Sequence, residues 1–154
     1  FYGIDFSRND LLKFFGVTLK EWGQVLFTGT YISTAFLSLK KFKEKQNIEF
    51  IFWLLIIIAY ASFCFLTNMH ERYLYPVFPL LTILVFLRPS LKYIYILLSV
   101  VFMLNLYNLW FIPDVLSLKT IFTPIFVKMC SVVNVILFSW FFFDFLRFLR
   151  LKKV

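Results

Sequence analysis

Five long apolar runs divide the chain, and they limit its fold more than any other feature. Each approaches the roughly 20 residues that an α-helix needs to cross a hydrocarbon core about 30 Å thick. They lack the alternation of apolar and polar residues that marks barrel strands, so helices are the structure that satisfies their backbone in lipid. The runs are residues 22–39, 50–67, 72–87, 93–111 and 125–145.

The composition agrees with a membrane protein. The chain is 62% hydrophobic and 16% charged, whereas soluble domains are about 45–50% apolar and about 25% charged. The sequence therefore predicts an all-α, polytopic protein of the cell membrane with about five transmembrane helices. Residues 1–21 are expected to form an extracytoplasmic or interfacial segment, and residues 22–154 a transmembrane helical module. In the first segment, Asp10 could cap a short helix reaching Phe15, or the segment could be a loop.

The net charge of +8 does not indicate a nucleic-acid partner, because the cations cluster at the ends of the apolar runs. If the five runs alternate in direction, ten cations fall on one side and six on the other. The ten lie in short loops, and the positive-inside rule therefore predicts an external amino end and a cytoplasmic carboxyl end. The ten are Lys40, Lys41, Lys43, Lys45, Arg88, Lys92, Arg147, Arg150, Lys152 and Lys153; the six are Arg8, Lys13, Lys20, Arg72, Lys119 and Lys128.

The second and third runs are joined on the predicted outer side by Met-His-Glu-Arg-Tyr-Leu-Tyr-Pro at residues 69–76, which contains the only histidine. Ionisable groups beside membrane segments are costly and mark functional sites. The residues between Glu49 and Arg88 extend about 57 Å as helix, and two crossings need about 60 Å. The turn is therefore expected at, or slightly below, the outer interface, with its polar side chains in a shallow cavity.

The residue types in this turn suit a phosphate. Arg72 can pair with phosphate or carboxylate through two parallel hydrogen bonds, and His70 can donate to phosphate or pass a proton near neutral pH. Glu71 could orient either one, and Tyr73 and Tyr75 could line the cavity. The simpler alternative is that Glu71 and Arg72 neutralise each other and anchor the hairpin. No metal-ligand spacing, glycine-rich phosphate loop or Ser-His-Asp order is present, so neither a metal site nor a cofactor is predicted.

The string from Met69 to Pro76, following Phe-Leu-Thr-Asn at residues 65–68, resembles the C-terminal motif of bacterial GT-C glycosyltransferases. These multi-span enzymes use polyprenyl-phosphate sugars and are related to PMT-type and PIG-V-like mannosyltransferases. Residues 15–23 and 102–107 carry weaker similarity. Family members commonly have Thr-Arg where this chain has Thr67-Asn68. The resemblance implies a hexosyl- or mannosyltransferase working at the extracytoplasmic face, with His70 and Arg72 on the lipid phosphate of the donor.

The resemblance also implies what this chain lacks. The family's catalytic base is typically acidic and lies in the first external loop, which no stretch here matches, so no catalytic residue is assigned. The chain is therefore expected to be the C-terminal portion of a longer enzyme, whose partners are its remaining part, membrane lipids and the polyprenyl-phosphate sugar. The alternatives are a transporter or lipid-handling subunit using residues 70–72 as a gate or proton relay, and a helical scaffold without a site. Transporters usually hold such groups near the bilayer midplane.

Overall fold

The chain folds into a bundle of helices, seen in a computed structural model that describes residues 13–41, 48–66, 71–110, 116 and 120–150. The predicted all-α class is confirmed, and each apolar run falls on helical structure. The long helices are α1 (Leu19–Lys41), α2 (Ile48–Phe65), α3 (Val77–Leu87), α4 (Lys92–Trp110) and α5 (Pro124–Arg150). Short 3-10 turns at Glu71–Leu74 and Pro89–Leu91 flank α3, and the strands β1 (Lys13–Phe14) and β2 (Val17–Thr18) precede α1.

Among the described residues, three helical stretches are long and apolar enough to cross a membrane, which indicates a membrane-embedded protein. They are Ile48–Phe65, Pro89–Tyr107 and Ile125–Arg150, and α3 is an apolar helix of shorter length. The third apolar run, residues 72–87, does not form one continuous helix. Its first part is a 3-10 turn, and its α-helix has 11 residues, or about 16 Å. The count of five spans stays a prediction.

The described part of the amino-terminal segment is a β-hairpin. Lys13 pairs with Thr18 and Phe14 with Val17 in antiparallel register. The turn between the strands has positive φ at both Phe15 (52°) and Gly16 (80°), as a two-residue hairpin turn with the right twist requires. Of the two alternatives predicted for this segment, the short helix reaching Phe15 is therefore wrong for residues 13–15.

A reciprocal cap begins α1. The Glu21 N–H donates to Thr18 Oγ1 at 3.2 Å, while the Thr18 N–H and hydroxyl donate to Glu21 Oε2 at 2.8 and 2.7 Å. This is the capping-box arrangement, which satisfies backbone N–H groups that a helix start leaves without partners. The hydrogen bonds from Thr18, first from its backbone and then from its side chain, lower the pKa of the Glu21 carboxyl. The indole of Trp22 donates to the Phe14 carbonyl at 3.0 Å, which fixes the hairpin to the helix.

Neighbouring helices run in opposite directions, so the bundle has two distinct ends. The start of α1 touches the end of α2, where a Cβ added to Gly23 would collide with the Phe65 carbonyl oxygen. The start of α2 touches the end of α3, where Arg88 Nη1 lies 3.4 Å from Glu49 Oε1. We call the first the Tyr73 end, because it carries the Glu71–Leu74 turn, and the second the Arg88 end.

The core lies around α2, which packs against α1, α3 and α5. Trp53 on α2 is completely buried, and its ring centroid lies 4.5 Å from that of Phe141 and 5.9 Å from that of Phe145 on α5. Because lipid tails are as apolar as these side chains, close packing rather than exclusion of water stabilises such contacts in a membrane. The packing between α2 and α5 therefore holds α2 in place, and the turn follows α2 in the chain.

Candidate functional site

The turn between α2 and α3 carries the sequence motif, and its ends are fixed by backbone bonds. The Leu66 N–H donates to the Ser62 carbonyl at 3.0 Å, which extends the last turn of α2. At the other side, the Phe78 N–H donates to the Tyr75 carbonyl at 3.1 Å as α3 begins. Pro76 is the N-cap of α3, with φ −60°. Proline suits a helix start because it has no N–H to leave unsatisfied.

The structure places the predicted site residues unequally. His70 lies outside the described residues. Glu71 and Arg72 are described by their backbone, which begins the 3-10 turn, but not by their side chains. Tyr73 and Tyr75 have described side chains, and both are exposed, at 46% and 66%. The proposed pairing of His70 and Arg72 on one phosphate therefore stays a prediction.

Leu74 anchors the turn to the bundle. Its side chain is completely buried, and the turn packs against both α2 and α4. The exposed tyrosines stand on either side of this buried leucine in sequence. Because Leu74 is buried in the bundle, the backbone of Glu71 and Arg72, which directly precedes it in the turn, is held close to the bundle.

The end of α4 lies beside the turn. At the start of α3, Phe78 lies 4.7 Å from Phe102 of α4, measured between ring centroids. From Phe102, α4 continues to Trp110, about 12 Å further at 1.5 Å per residue. The chain from Phe78 back to Glu71 rises by a similar distance, because its 3-10 turn rises about 2 Å per residue. The turn and the end of α4 therefore reach similar heights, and they pack against each other.

On the other side of α2, α5 extends further than α2 does. The Tyr60 hydroxyl donates to the Asn134 carbonyl of α5 at 3.0 Å. From Tyr60, α2 ends at Phe65, about 8 Å on, while from Asn134 α5 extends back to Pro124, about 15 Å on. The first turns of α5 therefore extend beyond the last residue of α2 at the Tyr73 end.

Aromatic rings lie where α4 ends and α5 begins. The rings of Tyr107 on α4 and Phe122 before α5 have centroids 5.4 Å apart, and Phe122 lies 5.2 Å from Phe126 on α5. Tyrosine and other aromatic rings suit the boundary between lipid and water, since they join an apolar body to a polar edge. These rings therefore lie at the same end of the bundle as the turn.

An ion pair that the sequence analysis did not predict lies at the Arg88 end. Glu49 Oε1 accepts from Trp53 Nε1 and from Arg88 Nη1, each at 3.4 Å. The Arg88 guanidinium also lies 5.6 Å from the ring centroid of Phe148 on α5. These contacts join the ends of α2, α3 and α5. The signal was present in the sequence, because Glu49 and Arg88 are the charged residues that bracket the second and third runs.

No group of three histidine, cysteine or acidic side chains that could hold a metal ion occurs among the residues that the structure describes. Comparison of the chain with protein-family models, with curated proteins and with solved structures found no match.

Proposed function

We propose that the chain is the C-terminal membrane region of a GT-C glycosyltransferase. It moves a sugar, with mannose as the first candidate, from a polyprenyl-phosphate donor to an acceptor at the extracytoplasmic face of the cell membrane. The observation that carries the proposal is the string from Met69 to Pro76, whose described part, from Glu71 on, forms the 3-10 turn that precedes α3. No residue of this chain is assigned as the catalytic base.

In this proposal the turn holds the phosphate of the donor lipid. The guanidinium of Arg72 binds two phosphate oxygens with its planar pair of N–H groups. His70 donates to one of the same two oxygens, and Glu71 orients one of these two cations. Tyr73 and Tyr75, whose exposed side chains flank the buried Leu74, line the entrance. The donor is a phosphate diester of a sugar and a prenyl alcohol, and its single negative charge lies at headgroup depth, where we expect the turn.

The length of α3 supports a lipid ligand. Together with its two 3-10 turns, at about 2 Å per residue, α3 covers about 30 Å. This is close to the thickness of the hydrocarbon core, so its outer turn is expected near headgroup depth. A prenyl chain can therefore approach from the bilayer while its phosphate reaches the turn.

The proposed orientation is five spans, with the Tyr73 end outside and the Arg88 end in the cytoplasm. The supporting observation is that Arg88, Lys92, Arg147 and Arg150 all lie at the end opposite the turn, as the positive-inside rule requires. A chain with Cys64 and Cys130 replaced by serine and a single cysteine at Tyr75 tests this. We expect a membrane-impermeant maleimide to label it in intact cells, whereas labelling only after permeabilisation would contradict the orientation.

The direct test of the binding role is Arg72→Lys, measured as binding of a polyprenyl monophosphate to the protein in lipid nanodiscs. Lysine keeps the charge but loses the two-pronged geometry. Since a hydrogen bond to a charged group contributes about 1.5–3 kcal/mol, we expect binding to weaken about tenfold or more. Arg8→Lys is the matched control, because it makes the same exchange at an arginine that lies outside both the turn and the Arg88 end. Equal binding by Arg72→Lys and the control would show that Arg72 only anchors the hairpin.

A further inference from the structure

Four cationic side chains of α3, α4 and α5 lie at the Arg88 end, and we call them the basic patch. Arg88 is the C-cap of α3, Lys92 begins α4, and Arg147 and Arg150 lie in the last turn of α5. The Arg88 guanidinium lies over the ring of Phe148, which sits between the two α5 arginines in sequence. The patch therefore unites residues from three helices, and it plays no part in the function proposed for the turn.

The carboxylates near the patch are largely buried, as is Arg88 with 27% of its side chain exposed, whereas Lys92, Arg147 and Arg150 are exposed. Glu49 is paired with Arg88, and the Glu49 side chain is 23% exposed. Asp144 is paired with Arg147 at 3.5 Å, and their side chains are 20% and 78% exposed. Among the described residues, no carboxylate pairs with Lys92 or Arg150. The outward face of the patch is therefore positive.

Helix electrostatics explain part of this arrangement but not Lys92. Cations are favoured at the C-terminus of a helix, which accounts for Arg147 and Arg150. Lys92 is at the first residue of α4, the end where the helix dipole opposes a cation. Its ammonium lies 5.0 Å from the ring centroid of Tyr93, a contact that supplies no countercharge. An anion from outside the described chain would satisfy both Lys92 and Arg150.

Exposed aromatic side chains next to the patch indicate the depth of that anion. Tyr93 adjoins Lys92, and Phe143 lies one helical turn before Arg147; both rings are more than half exposed. In membrane proteins an aromatic ring beside a cation is typical of the headgroup layer, with apolar rings against acyl chains and cations among phosphates. A lipid satisfies both kinds of group, whereas free phosphate satisfies only the cations.

We propose that the basic patch binds the headgroups of anionic phospholipids, with Lys92 and Arg150 as its principal phosphate ligands. Arg88 remains paired with Glu49 and holds the three helix ends together beneath the lipid. The source of the anion is the surrounding leaflet. The expected consequence is that anionic lipid is retained at this end of the protein in preference to zwitterionic lipid.

The test is native mass spectrometry of the protein released from nanodiscs that contain equal amounts of phosphatidylglycerol and phosphatidylcholine. We expect the wild type to retain phosphatidylglycerol preferentially. Each cation near an anionic surface contributes about 1 kcal/mol, so Lys92→Gln/Arg150→Gln should lower that preference about tenfold to thirtyfold. The matched control is Lys13→Gln/Lys20→Gln, which removes the same charge from exposed lysines at the Tyr73 end.

The control separates a built site from general attraction to a cationic protein. Loss of preference in the patch variant with retention in the control supports the proposal. Equal loss in both pairs, or no preference in the wild type, would overturn it. Each single substitution, Lys92→Gln and Arg150→Gln, should give part of the loss at an unchanged melting temperature. If the preference falls only in variants whose melting temperature falls with it, the patch is structural and the proposal is wrong.

Discussion

Single residues determine how closely the helices approach one another, and Gly23 is the clearest case. It lies in the first turns of α1, where its Cα faces the carbonyl of Phe65 at the end of α2. A small residue at such a contact allows two helix backbones to pack closely, which is a main source of helix association in membranes. Because Phe65 is the last residue of α2, this contact also holds the helix end from which the turn begins.

The two glycines of α1 give a matched pair of substitutions. At Gly23 an added Cβ would collide with backbone atoms of Phe65, which cannot move aside as a flexible side chain can. We therefore expect Gly23→Ala to destabilise the protein by about 1–3 kcal/mol, the usual cost of overpacking. At Gly29 an added Cβ meets nothing within 4 Å, and alanine is the better helix former by up to about 1 kcal/mol.

Thermal unfolding in one detergent checks this pair. The melting temperature of Gly23→Ala should fall, and that of Gly29→Ala should stay unchanged or rise. Similar melting temperatures for the two variants would show that the α1–α2 contact does not depend on the absence of a side chain at Gly23.

At the scale of elements, hydropathy predicted the helices well because lipid leaves the backbone few alternatives. The runs at 50–67 and 93–111 correspond to α2 at Ile48–Phe65 and α4 at Lys92–Trp110 within two residues at each end. The charged residues Glu49 and Arg88, used to bracket the α2–α3 pair, are in fact in contact with each other. The lengths of the apolar runs and the positions of the charged residues were therefore enough to predict these helices and where they end.

The elements that hydropathy failed to predict are those governed by local backbone chemistry. Pro76 made the start of the third run unfavourable for a helix, and the structure has a 3-10 turn there instead of a continuous span. The hairpin at residues 13–18 depends on positive φ at Phe15 and Gly16, and a phenylalanine gives little warning of such a conformation. The buried position of Leu74 depends on packing between α2 and α4, which no single run reveals.

At the scale of the whole molecule, the bundle has two chemically different ends. In the function proposed above, the Tyr73 end binds the phosphate of a polyprenyl donor at the Glu71–Leu74 turn. The Arg88 end carries an ion pair that ties three helices together, and a basic patch that faces anionic headgroups. The five-span arrangement and the function are proposals. They require that the polyprenyl donor binds at the Tyr73 end and that anionic phospholipid binds at the Arg88 end.

Photocrosslinking tests most directly which end of the bundle binds the polyprenyl phosphate. The probe is a polyprenyl phosphate with a diazirine on the isoprene unit next to the phosphate, added to the protein in nanodiscs that contain phosphatidylglycerol. After irradiation, mass spectrometry of the peptides locates the adducts. We predict adducts at Tyr73, Tyr75 and the part of α4 beyond Phe102, reduced in Arg72→Lys. Adducts concentrated at Tyr93 and Arg150, unaffected by Arg72→Lys, would contradict the account.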